Sequence, residues 1–187
     1  PEQVAEMEAV GLVVFWQNDP TNFEELYGNL TELAILSGRE VELEILLADL
    51  KARVSVIEEK VAALDGEAPI VFYELDATDP NAPWTTGSGT FIDYVITIAG
   101  GVNAAADVEG AYAMFSSEAL LAADPDFILL ADAEFGVTVE SVAERAGWET
   151  ITAVVEGNII PIESSLFSLP GPRLVDGLEF LFSVLHE

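Results

Sequence analysis

Cysteine is absent from the 187 residues, which excludes disulfides, thiol catalysis and thiolate metal sites and leaves the redox compartment open. Histidine occurs once, as His186, next to the last residue. A histidine-rich transition-metal site is therefore excluded. An imidazole-activated serine is not expected either, since no Gly-x-Ser-x-Gly elbow accompanies it. Positive charge is also scarce: 6 Lys and Arg stand against 34 Asp and Glu, a formal net charge of −28, and only Lys51 and Lys60 carry ammonium groups. A field of that sign repels polyanions, so nucleic acid is not an expected partner. No apolar run approaches the roughly 18 residues that a membrane-spanning helix needs.

Apolar residues are plentiful. They make up 51% of the chain, and the mean hydropathy is +0.37. That surplus predicts surface that meets something else, whether another lobe, a membrane protein or a second copy, because monomers seldom expose large contiguous apolar patches. The chain opens at Pro1 without an initiator Met and reads as if cut from a longer protein. Depletion of lysine is compatible with adaptation to high salt and equally with an ordinary acidic surface.

Along the chain, residues 4–9 are helix-like, and Leu12-Val13-Val14-Phe15-Trp16 looks like a buried strand closed by the turn signal Asn18-Asp19-Pro20. Thr21 with Glu24 has capping-box spacing for a helix running to Ser37-Gly38, and Ser37 with Glu40 repeats the device. From Glu40, the residues Leu47, Leu50, Val54, Ile57, Val61 and Leu64 recur at steps of three and four, one seam on a helix ended by Asp65-Gly66. At about 1.5 Å per residue such a helix is nearly 40 Å long. That length suits a connector between two lobes better than a coiled coil, because the seam is short and its surroundings are α/β-like. Ile70 to Leu75, Phe127 to Leu130 and Ile159 to Ile162 read as buried strands, with helices between them capped at Ser116, Ser117 and Thr138, another short helix over 151–155, and a final helix begun near Pro172. The alternation predicts an α/β fold: a three-layer lobe over 67–187, a spanning helix over 39–66, and the tail of another α/β unit over 1–38.

Gly87-Ser88-Gly89 before a helix lacks both the third glycine of a dinucleotide fingerprint and the lysine of a phosphate loop, so close packing of the turn is the preferred reading. Glu74, Asp76 and Asp79 could hold a hard cation but lack EF-hand spacing, and no dedicated metal site is expected. Tyr73, Trp84, Tyr112 and Phe167 fall after strands or in adjoining loops, where open α/β sheets bind ligands. Large flat side chains there suit a bulky, partly apolar ligand; the competing reading places some of them in the core.

Several stretches in order resemble the solute-binding proteins that deliver cobalamin, haem and ferric siderophores to ABC importers. These are Trp84-Thr85-Thr86-Gly87-Ser88-Gly89-Thr90-Phe91-Ile92-Asp93, Ala99-Gly100-Gly101-Val102-Asn103, Ser116-Ser117-Glu118-Ala119-Leu120-Leu121, Ala123-Asp124-Pro125-Asp126 and Pro170-Gly171-Pro172-Arg173. The resemblance implies two α/β lobes on one long helix, with ligand captured between them and no chemistry performed. It implies an extracytoplasmic location, ABC permease transmembrane subunits as partners, and Glu118 as the residue of this lobe that docks on them. It likewise implies ligand contacts from Trp84, Tyr112 and Phe167. Cobalamin or another corrinoid is the first choice of ligand, ahead of ferric siderophore or haem, with no resident cofactor. Ser165-Leu166-Phe167-Ser168 lacks the carboxylates found in some cobalamin binders, and Arg173 is either a contact for an anionic ligand or a structural ion-pair partner. The rival readings are an α/β enzyme and a fragment that forms homodimers.

If the acidic surface is a salt adaptation, raising KCl from about 0.1 M to about 1 M, which cuts the Debye length from about 10 to about 3 Å, should stabilise the fold. The expected rise in melting temperature by calorimetry is about 5 °C or more; an unchanged value identifies an ordinary acidic surface.

Overall fold

The computed structural model describes residues 2–187. At its centre is a parallel four-stranded sheet of order β3-β1-β5-β6, formed by β1 (Ile70–Glu74), β3 (Val102–Asn103), β5 (Phe127–Leu130) and β6 (Ile159–Pro161). Parallel neighbours require crossovers. Here α4 (Phe91–Ile98) lies between β1 and β3, α5 (Ser117–Ala123) precedes β5, and α6 (Val139–Ala143) with α7 (Thr152–Glu156) precedes β6. Residues 71–73 and 128–130 are fully buried, so the strands are apolar on both faces and read as continuous runs.

Strand alternation divides the core into two clusters. Val71, Tyr73 and Leu129 face Ile92, Val95 and Ile96 of α4, the final helix α9 (Leu174–His186), and α3 (Glu40–Ala62). Phe72, Ile128 and Leu130 face the other way, onto Leu120, Val142, Trp148 and Ile151. Beneath the end of β1, Arg145 makes a bidentate pair with the fully buried Glu74 at 2.5 and 2.8 Å, and its guanidinium stacks 4.5 Å from the Trp148 ring. Burial pushes the Glu74 carboxyl above its ordinary range even though Arg145 pulls the other way.

Helix α3 has 23 residues, and at about 1.5 Å each it is roughly 34 Å long. Leu50, Val54 and Ile57 are its buried residues, while Val41 and Ile45 near its start are exposed. Arg53 clamps it to α9 through Asp176 (2.5 Å) and Glu179 (2.9 and 2.6 Å). Helix α2 (Phe23–Ser37) packs Phe23, Leu26 and Tyr27 inward and leaves Leu33, Ile35 and Leu36 exposed.

Several expectations need correction. Residues 12–16 form no strand: Leu12, Val13, Phe15 and Trp16 are exposed, because no strand among the described residues offers this segment a ladder. The cap of α2 is Asn22, which accepts from the Glu25 backbone, while the Glu25 carboxylate accepts from both Thr21 donors; the device is displaced by one residue. Ser37 donates back to Leu33 and Ala34 and caps nothing. Helix α3 stops at Ala62, leaving Leu64 exposed beyond it, and α6 ends at Ala143 rather than at Gly147. The helix α1 (Glu2–Ala9) and α8 (Ser165–Ser168) complete the set, together with an antiparallel ribbon of β2 (Trp84–Thr86) and β4 (Tyr112–Met114).

Removing Arg145 strands a buried carboxylate. Arg145→Leu should cost about 3–5 kcal/mol in denaturant unfolding, and Glu74→Leu added to it should restore much of the loss.

Candidate functional site

The loops following β1, β3, β5 and β6 open on one edge of the sheet, the carboxyl edge. The β2–β4 ribbon rises from it: Leu75 N donates to Trp84 O at 2.8 Å, and Trp84 N donates to Asp76 O at 2.7 Å. Trp84 pairs with Met114 and Thr86 with Tyr112, which by strand alternation puts Trp84, Tyr112 and Met114 on one face. Trp84 is 43% exposed and Tyr112 55%. The ribbon is fixed by Asn103, whose amide donates to Thr86 O and to the Asp93 carboxylate, both at 3.0 Å, and whose side-chain oxygen accepts from Ala105 N.

Between the ribbon and the start of α9 lies an open cleft of about 300 Å³, at the small end of ligand sites. Its walls include Tyr112, Phe167, Leu75 and Phe91, with Asp19 and Ser168 at its margin. The structure thus brings Tyr112 and Phe167 together in one cavity. Trp84 stands outside it on the same ribbon. Tyr73 does not reach it, a correction: alternation along β1 turns its ring inward, where it meets Phe167 edge-on at 6.0 Å and supports the cleft from beneath. Its hydroxyl is buried without a partner, and burial drives its ionisation far above the ordinary range. Arg173 lies just before α9 and donates to the Glu163 carboxylate at 2.6 Å, the ion-pair role rather than a cleft wall. Glu118 is exposed in the first turn of α5, whose start is tied to the β1–β2 loop by Ser117 donating to Asn81 O.

The carboxylates at the end of β1 and the Gly89 amide before α4 already have partners. Glu74 is taken by Arg145, Asp76 accepts from Thr78 N, and Asp79 accepts from Asn81 N; among the described residues no group of three or more His, Cys, Asp and Glu is placed to hold a metal. At the start of α4, Asp93 accepts from Gly89 N and Thr90 caps the helix, so a carboxylate occupies the place a phosphate would take. Gly87 is glycine because a Cβ there would stand 2.6 Å from Gly110 O and from Val108.

Two exposed residues at this edge escaped the sequence reading, Met114 and Phe135. Phe135 is 86% exposed in a single 3-10 turn after β5. That turn is held to its neighbours on both sides: Asp132 accepts from Ala77 N and Glu134 from the Ser164 hydroxyl. Burial raises the Asp132 pKa. A short turn ended by glycine was the sole signal for this feature.

The model of the family described as periplasmic binding protein matches residues 6–166. The chain belongs to that family. Among curated family relatives, an uncharacterized ABC transporter substrate-binding lipoprotein of Bacillus subtilis, YvrC, is 30% identical over 99% of this chain and 57% of its own length. A cobalamin-binding protein of Halobacterium salinarum is 27% identical over 98% of this chain and 50% of its own length. The chain thus spans about half the length of these relatives. The solved apo structure of the periplasmic heme-binding protein RhuT from Roseiflexus sp. RS-1 superposes with a TM-score of 0.87 at 25% identity, over 100% of this chain and 71% of that one.

Helix α9 lies close against α8, for a Cβ on Gly177 would collide with Leu166 O. Gly177→Ala should therefore displace α8 and Phe167, seen as shifted methyl and aromatic resonances at the cleft and a melting temperature lower by several degrees.

Proposed function

We propose that this chain is the C-terminal lobe and backbone helix of the substrate-binding component of an ABC importer, working outside the cytoplasm and capturing a bulky metal chelate without transforming it. Cobalamin or another corrinoid is the preferred ligand, with ferric siderophore or haem as the alternatives. The observation that carries this reading is the exposed apolar face of the β2–β4 ribbon beside the cleft, where Trp84 and Tyr112 stand rigidly supported yet uncovered. Flat aromatic surface of that kind suits a large ring system.

Family membership supports the wider architecture. Exposed Trp16, Leu33, Ile35, Leu36, Val41 and Ile45 gather on the 12–16 segment, α2 and the start of α3, a surface that an N-terminal lobe would cover, with residues 12–16 as a strand of that lobe's sheet. Glu118 is proposed to dock on arginines of the permease. A homodimer formed through the same apolar surface is the alternative use of it, tested by the mass in solution.

Titration with cyanocobalamin, a ferric siderophore and haemin, following tryptophan fluorescence, tests the reading. Saturable quenching by one of them is expected, weakened about tenfold or more in Tyr112→Ala or Trp84→Ala, a change of about 1.4 kcal/mol. Silence toward all three removes the binding reading and favours the self-associating alternative.

A further inference from the structure

The whereabouts of the positive charges bear on which ligand this face accepts. All six Lys and Arg lie among the described residues, and each is already engaged. Arg39 pairs with Glu42 at 2.7 Å, and Arg53 with Asp176 and Glu179. Arg145 is buried against Glu74. Lys60 lies 3.8 Å from Glu187 and over the Phe182 ring, and Lys51 lies over the Tyr27 ring. Arg173, nearest the cleft in sequence, holds Glu163, whose carboxylate also accepts from the Ser165 hydroxyl. An exposed pair of this kind is weak in itself. Two carboxylates nevertheless lie beside Arg173, Glu163 in direct contact and Asp176 near enough to be felt.

Among the described residues the cleft wall offers no cation. Its one charged residue is Asp19, and the adjoining grooves add Glu24 and Asp93 on one side, Glu25 and Glu32 on the other. Recognition of carboxylate, catecholate or phosphate groups relies on Arg or Lys placed to meet them. A surface of net charge −28 adds a long-range penalty to any anion.

We infer that this face selects ligands, or faces of ligands, that carry no net negative charge, and discriminates against anionic chelates. The inference rests on the binding role proposed above and narrows it: a corrinoid or a neutral ferric hydroxamate fits, whereas haem with its propionates and ferric tris-catecholates do not.

Isothermal titration of the whole chain at fixed ionic strength, with cyanocobalamin, ferrichrome, haemin and a ferric tris-catecholate as probes, tests it. Binding of a neutral probe at least about tenfold tighter than either anionic one is expected. Leu169→Lys, which adds a cation at an exposed position beside the cleft without altering its lining, should tighten the anionic probes about tenfold and leave the neutral ones within about twofold; Asp19→Asn should tighten the anionic probes by less. Anionic probes binding the unaltered chain as tightly as neutral ones would overturn the charge selection and leave the binding role standing. Failure of every probe would overturn both.

Discussion

Strands β1 and β5 lie side by side with almost every side chain out of water, and the remaining elements follow from that burial. A strand covered on both faces needs a layer on each side, which the chain supplies as α3, α4 and α9 against Val71 and Tyr73, and as α5 to α7 with Trp148 against Phe72. Parallel pairing sends every crossover back to the same end, so the loops that follow β1, β3, β5 and β6 share one edge. The cleft exists there because the ribbon, the start of α4 and α8 all take their positions from that common edge.

Electrostatics impose a second constraint. With so few cations, three of the six hold two elements together: Arg53 joins α3 to α9, Arg145 joins the end of β1 to the α6 region, and Arg173 joins the loop after β6 to the start of α9. The long-range field of a net charge of −28 opposes the approach of anions.

Three of the sheet's four strands were legible because residues 70–73, 127–130 and 159–161 are apolar and bounded by turn residues, a pattern that survives without knowledge of partners; the two-residue β3 was too short to show one. The ribbon was not legible, since three-residue strands separated by α4 and β3 gain their pairing only from tertiary context. The run at 12–16 misled for the reverse reason: hydrophobicity promises burial, but burial needs a neighbour, and none is supplied within the described residues. Tyr112 and Phe167 were expected near the carboxyl edge of the sheet, and both line the cleft there. Tyr73 does not, because one step of strand alternation decides between cleft and core. Phe135 left almost no trace in the sequence, standing on a single turn.

Helix α3 leaves Val41 and Ile45 exposed near its beginning, packs Leu46 and Leu47 partly against the core, and is buried at Leu50, Val54 and Ile57, where Arg53 locks it to α9. Mechanically it is a cantilever: a stiff rod with one end embedded in a wall and the other projecting. Any body mounted on the projecting end turns about the embedded root, so a slight tilt at the level of Leu50 is magnified along the rod.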